Sequence, residues 1–215
     1  EKICFMKHSG YFITFEGTEG SGKSTQIKVA ARYLKRLGKK VVFLREPGGT
    51  EVSEAIRKVI LDKKFKKMRP ETELLLYLAA RAQIVREKIL PALAQGKAVI
   101  CDRFEDSTVA YQGFGRKISL DQIESLSRFV RGSLKPHLTF LLDVPPQVGL
   151  ARIGKVGQRD RIERQSLDFH ARVRQGFLTL ARKNKKRFVV LDGRKSPSHI
   201  SAQIKERLAR VFHAR

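Results

Sequence analysis

The sequence predicts an α/β fold, a parallel sheet covered by helices on both faces. Short runs rich in β-branched and aromatic residues alternate with segments of helical period along the chain. Such alternation builds parallel strands through right-handed crossovers. Between the first run, Tyr11-Phe12-Ile13-Thr14-Phe15, and the first helical segment lies Gly17-Thr18-Glu19-Gly20-Ser21-Gly22-Lys23-Ser24. This is a GxxxxGK(S/T) loop in the strand-to-helix context its chemistry requires. Charged loops after the later strands fall on the edge where parallel sheets bind ligands.

In the first loop, the glycines let successive backbone N–H groups face an anion, reinforced by the positive end of the following helix. Lys23 is expected to reach the β- and γ-phosphates of ATP and the Ser24 hydroxyl to ligate Mg²⁺. Glu19, Gly20, Ser21, Gly22 and Thr25 complete the expected ATP-binding segment. The chain therefore reads as nucleotide-binding.

Thr25 to Leu37 carries Ile27, Ala30, Ala31, Leu34 and Leu37 in helical period, and Gly38 closes it. Val41 to Leu44 is a continuous apolar run, read as a strand covered on both faces, ending in the loop Arg45 to Thr50. Glu51 to Leu61 has helical spacing. After a basic connection, Pro70 suits the first position of a helix from Glu71 to about Ala94, with Pro91 expected to kink it or split off its last turn.

Ala98 to Cys101 is the third strand and runs into Asp102-Arg103-Phe104. Ser107 to Gly113 holds a helical turn, and Leu120 to Val130 is a helix with Ile123, Leu126 and Phe129 on one face. Leu138 to Val144 is the fourth strand, and Pro145-Pro146 open a helix to about Ile153. A cationic stretch, Gly154 to Arg161, precedes a helix from Ser166 to Lys183. Phe188 to Asp192 is the last strand, and Ser198 is read as capping a final helix.

At 215 residues the chain is read as a single domain, with residues 1–9 as an N-terminal extension outside the fold argument. Its 45 basic and 21 acidic residues give a net charge of +24. No arm or aromatic-interleaved stripe concentrates the cations, so the charge reads as a solvated basic coat around an anion site rather than a nucleic-acid surface. Cys4 and Cys101 are too few for a disulfide framework or a zinc site, and Cys101 reads as a buried small hydrophobe. No apolar stretch approaches the roughly 18 residues of a membrane span, and no secretory signal is visible, so a cytoplasmic protein is expected.

Arg45-Glu46-Pro47-Gly48-Gly49-Thr50, Tyr77 with Ala79-Ala80-Arg81, Asp102-Arg103-Phe104 and Tyr111-Gln112-Gly113 occur in this order. In that combination the chain resembles the thymidylate kinases from about Tyr11 to its C-terminus. The resemblance implies a nucleoside monophosphate kinase fold with a five-stranded parallel core. It implies transfer of phosphate from ATP to dTMP, giving dTDP for dTTP and DNA synthesis, on a homodimer with Mg²⁺.

The residues suit that chemistry. The nucleophile is a phosphate oxygen that is already anionic near neutral pH, so no general base is needed. What is needed is positioning and charge neutralisation. Lys23, Arg45 and Arg103 are the expected catalytic cations, with both arginines clamping the acceptor phosphate. Asp102 is expected to orient the water shell of Mg²⁺.

The resemblance further implies that Glu19 binds the acceptor's 3′-hydroxyl and that Tyr77, usually Phe, stacks on thymine. By the same resemblance Arg81 and Gln112 read the base, Tyr111 crowds a ribose 2′-hydroxyl, and Pro47, Ser107 and Thr108 line the dTMP site. Tyr77 also lies in the apolar Leu74 to Leu78 run and could be core, and Ser107 and Thr108 could be ordinary helix caps.

The segment 152–163 resembles the family's lid. Gly20 stands where some members carry a phosphate-loop arginine, which implies the subtype whose catalytic arginine comes from the lid. Arg159 and Arg161 are the expected catalytic lid arginines, with Arg152 toward ATP. Gly154, Lys155 and Val156 depart from the arginine-rich family pattern, leaving open which cation reaches the transferring group. The rival readings are an adenylate- or guanylate-type kinase, a deoxynucleoside kinase using Glu46 as base, and a nucleic-acid-stimulated ATPase.

Overall fold

A computed structural model describes residues 9–154 and 160–213. Five strands, β1 (Tyr11–Glu16), β2 (Val41–Arg45), β3 (Ala98–Asp102), β4 (Leu138–Asp143) and β5 (Phe188–Asp192), form one sheet in the order β2-β3-β1-β4-β5. Every pairing is parallel. The register sets Phe15 and Arg45 beside Asp102, so the ends of β1, β2 and β3 meet on one edge.

Alternation along β1 sends Ile13 and Phe15 to one face and Phe12 to the other. The first face is covered by α1 (Lys23–Arg36) and α9 (Pro197–His213) through Ile27, Leu34, Ile200 and Ile204. The second is covered in part by α3 (Pro70–Ile84) and its continuation, through Ile84, Val85 and Ile89. Nearer β5 it is covered by α8 (Leu167–Lys183), through Phe169, Val173 and Phe177. Phe12, Phe15 and Phe140 are wholly buried, each contributing about 1.5–3 kcal/mol of apolar transfer. Cys101 is buried and free.

Two expectations need correction, for β2 and for the cap of the final helix. The strand β2 lies at the sheet edge, and Phe43 is 54% exposed, so it is not covered on both faces. The last turn, with Pro91, is set off from α3 as expected. The ladder slips into a π-helical stretch, Val85–Ile89, before α4 (Leu90–Ala94), with the Leu90 amide bonding Val85 O. Pro91 has no N–H to continue the ordinary ladder, and this register shift absorbs the loss. The final helix is capped by Ser196, whose hydroxyl accepts from the His199 amide at 3.2 Å, and not by Ser198.

The remaining helices are α2 (Glu51–Leu61), α5 (Glu105–Thr108), α6 (Leu120–Arg131) and α7 (Pro146–Ile153). A second π-helical stretch, Val109–Gly115, continues α5. It carries Tyr111 and Gln112 toward the sheet edge described next. Among the described residues no helix is long and apolar enough to cross a membrane.

Candidate active site

Two adjoining cavities open at the carboxyl edge of the sheet. The larger, about 930 Å³, is lined by Lys23, Ser24, Arg45 and Asp102. The smaller, about 160 Å³, is lined by Tyr77, Arg81, Thr108, Tyr111 and Gln112 among others. Glu19, Glu46, Arg57, Arg103 and Glu163 border both.

The phosphate loop has the strained backbone its glycines allow, with φ of +139° at Gly17, +65° at Gly20 and +93° at Gly22. Gly20 is further constrained, because a Cβ there would lie 2.1 Å from the carbonyl oxygen of Gly149 on α7. Lys23 Nζ folds back into the loop and donates to Gly17 O and Thr18 O, each at 3.0 Å, and to Ser21 Oγ at 3.3 Å. Burial, and then the Arg103 guanidinium, press its ammonium down to about 8.

Ser24 and Thr25 are exposed on the first turn of α1. Ser24 lines the larger cleft with Asp102, whose Oδ1 is buried without a hydrogen-bond partner. A hydroxyl and an unsatisfied carboxylate oxygen facing one phosphate cleft suit Mg²⁺, a hard cation that keeps several waters and shares its shell with phosphates. Among the described residues no three His, Cys, Asp or Glu side chains cluster tightly enough to hold a metal alone.

Arg103 is the residue between the cavities. Its φ is +69°, a conformation costing about 1 kcal/mol or more outside glycine. Its amide is fixed to Phe15 O at 3.0 Å, and its guanidinium to Gly17 O at 2.8 Å and Ser107 Oγ at 3.2 Å. It also donates to Glu19 Oε1 at 3.2 Å and lies over the Tyr111 ring. Beneath it, Glu16 accepts from the Phe104 amide at 2.8 Å and from Ser107 Oγ at 2.5 Å. Burial and the nearby Asp106 push the Glu16 carboxyl up to about 8.

The Tyr111 hydroxyl also donates to Glu19 Oε1. Burial alone would raise the Glu19 carboxyl, but His170, Arg103 and Tyr111 override it and hold it down at about 2. Arg45 pairs with Glu54 at 2.9 Å while half exposed, so the pair is weak and Arg45 can turn to an anion cheaply.

The smaller cavity is lined by Tyr77, Ser107 and Thr108. Helix α3 sends Leu74 and Leu78 to the core and leaves Tyr77 lining the cavity. Ser107 and Thr108 are buried partners of the site arginines rather than helix caps, for Thr108 accepts from Arg81 Nη1 at 2.8 Å. Arg81 is also bound through Nε to Glu46 Oε2 at 2.7 Å. The other Glu46 oxygen, Oε1, is buried without a hydrogen-bond partner. The Glu46–Pro47 peptide is cis, and Pro47 lines the cavity wall. Gln112 is oriented by donating to Glu73 Oε1 at 2.9 Å.

Two of the expected cations of segment 152–163, Arg161 and Arg152, do not reach the cavities. Arg161 lines neither cavity. It is buried against Glu73 Oε2 at 2.7 Å and Ile60 O at 2.7 Å, where it anchors the lid's base. Glu73 is a buried carboxylate that also binds Arg116, and a buried charge holds the nearest cation. Arg152 bridges Gly20 O at 3.2 Å and Gly193 O at 3.0 Å, and lines neither cavity. Arg159 and Lys155 lie outside the described residues. Sequence reasoning missed Glu16, Arg57, Glu73 and His170, which carry no local motif. For Glu16 alone there was a signal, a carboxylate closing an apolar strand.

Five parallel strands in this order, a phosphate loop after the first and a second basic loop after the third define a P-loop nucleoside monophosphate kinase fold. The family model described as thymidylate kinase matches residues 15–204. Thymidylate kinase of Kosmotoga olearia is 50% identical over 90% of this chain and 92% of its own length. That of Geobacter sulfurreducens is 54% identical over 86% and 89%. The crystal structure of thymidylate kinase from Ehrlichia chaffeensis matches with a TM-score of 0.74 at 35% identity, covering 93% of this chain and 98% of that one. The chain belongs to the thymidylate kinase family.

Proposed function

We propose that this enzyme transfers the γ-phosphoryl group of ATP to the 5′-phosphate of dTMP, giving dTDP and so supplying dTTP. One observation carries the reading: the Arg103 guanidinium, tied to the phosphate loop through Gly17 O, borders both the phosphate-loop cleft and a smaller cavity lined by Tyr77, Arg81 and Gln112. In this reading Lys23 and the loop amides bind the donor phosphates, with Arg45 and Arg103 on the acceptor phosphate. Ser24 would ligate Mg²⁺ and Asp102 would orient the water shell of that ion, which would supply charge neutralisation. Glu19 takes the 3′-hydroxyl, and Tyr77, Arg81 and Gln112 receive the base. Residues 152–163 act as a lid within one catalytic unit, and the lid arginine that reaches the transferring group is assigned to Arg159.

Coupled turnover with ATP-Mg²⁺ against dTMP, dUMP, dCMP, dGMP and AMP tests this. A large preference for dTMP is expected, and turnover of none of them would sink the kinase reading. Arg103→Ala is expected to leave ATP binding nearly intact and to cut kcat/KM for dTMP by about 100-fold or more. Loss of ATP affinity instead would put Arg103 on the wrong side of the site.

A homodimer and a cytoplasmic site of action belong to the same reading. Helix α2 packs on α3 and α3 on α6, and each exposes apolar side chains. They include Val52 and Val59 on α2, Leu75 on α3, and Leu126 and Phe129 on α6. Phe129, placed by its spacing on one face with Ile123 and Leu126, is 85% exposed. An apolar face of this extent supports a second copy as its cover. Phe129→Glu is expected to shift the sedimentation coefficient from dimer to monomer. An unchanged dimer would move the interface elsewhere.

A further inference from the structure

His170 is a buried polar side chain that the phosphoryl-transfer reading leaves unused. It lies in the first turns of α8, immediately after the lid, and is 1% exposed. Its Nδ1 stands 3.4 Å from Glu19 Oε2. Neither ring nitrogen completes a hydrogen bond, and Glu19 Oε2 has none either. The other oxygen, Oε1, is held by the Tyr111 hydroxyl and by Arg103 Nη2 at 3.2 Å. Glu19 thus has one oxygen pinned by Tyr111 and Arg103 and one facing an imidazole that stands just short of a completed hydrogen bond.

Buried polar groups are rarely left without partners, and two unsatisfied atoms facing each other, Nδ1 and Oε2, point to an arrangement completed on binding. A movement of a few tenths of an ångström brings Nδ1 and Oε2 to ordinary hydrogen-bond distance. The imidazole is fixed by the packing of its neighbour Phe169 in the core beneath α8. We propose that His170 is a positioning residue whose Nδ1–H donates to Glu19 Oε2 and holds that carboxylate aimed at the acceptor's 3′-hydroxyl. This rests on the assignment of Glu19 to the sugar. With Oε1 alone anchored, the carboxylate can swing about its last torsion, and the sugar loses a directed acceptor.

The test compares dTMP with 3′-deoxythymidine monophosphate. The unaltered enzyme is expected to favour dTMP by about tenfold or more, the loss that follows when a substrate hydroxyl no longer meets a charged partner. His170→Phe keeps the ring and removes the donor. Its ratio is expected to fall to about 2 or less through a higher KM for dTMP, with the KM for ATP unchanged. His170→Ala is expected to show the same collapse and gives the ratio if the phenylalanine variant does not fold. His170→Asn, which can present an amide donor close to the Nδ1 position, is expected to restore most of the preference.

A folded His170→Phe or His170→Ala enzyme with the full original ratio overturns the proposal and leaves Glu19 in its place. A ratio near one in the unaltered enzyme, matched by Glu19→Gln, overturns the Glu19 assignment and the proposal together.

Discussion

Lys23→Ala is expected to lower kcat/KM by about 1,000-fold, or roughly 4 kcal/mol, while leaving the fold intact. The two effects separate because the ammonium serves the ligand at some expense to the free protein. It is buried and bound to two loop carbonyls and Ser21 Oγ, and burial penalises its charge enough to bring it to about 8. Between pH 8 and the ordinary lysine value, the unfolded chain binds a proton that the folded chain has released. The Lys23 contribution to stability therefore rises with pH in that window.

Binding a polyanion requires the proton back, so ATP affinity is expected to weaken as pH rises past about 8. Thermal unfolding and ATP titration from pH 7 to 10, in parent and variant, check both trends. A variant that keeps the same pH dependence of ATP affinity would assign that dependence to another group. A variant that loses its fold would mean the ammonium is structural.

The parts of this site that were legible in the sequence are those whose chemistry is local. The phosphate loop is so because Gly17, Gly20 and Gly22 adopt backbone that other residues resist. Its Lys23 and Ser24 occupy fixed places on the following helix. Asp102 and Arg103 were readable because they close an apolar strand at the ligand-binding edge.

Arg161 was not, because the destination of its side chain is decided by Glu73 on α3 and Ile60 O on α2, both remote in sequence. Glu73 and His170 sit in unremarkable helical stretches, and only packing shows what they face. The strand β2 failed differently. An apolar run reads alike at the centre of a sheet and at its edge, and the order β2-β3-β1-β4-β5 decides which it is. The stripe Ile123, Leu126 and Phe129 was legible as one helical face, but the spacing does not say that Ile123 is buried while Phe129 is 85% exposed.

Gly20→Ala is expected to be far more damaging than Gly38→Ala, although the two glycines share nearly the same backbone, φ +65° and +73°. Each substitution pays for left-handed backbone, about 1 kcal/mol. At Gly38 a Cβ meets nothing within 4 Å. At Gly20 it meets Gly149 O at 2.1 Å, and in return a Cβ on Gly149 would meet Glu19 O at 2.2 Å. The phosphate loop and α7 therefore cross backbone to backbone, and Arg152 bonds Gly20 O and Gly193 O beside the crossing.

A methyl group at Gly20 must push α7 off the loop. The cost expected is about 2 to 4 kcal/mol, a fall in Tm of roughly 5 to 15 °C for a chain of this size. Turnover should fall about 100-fold or more, because the loop amides move relative to the phosphates they hold. The crossing also explains physically why a catalytic arginine is excluded at this position of the loop. Calorimetry and turnover on both variants decide the matter: equal losses for Gly20→Ala and Gly38→Ala would show that backbone strain alone, and not the crossing with α7, keeps position 20 free of a side chain.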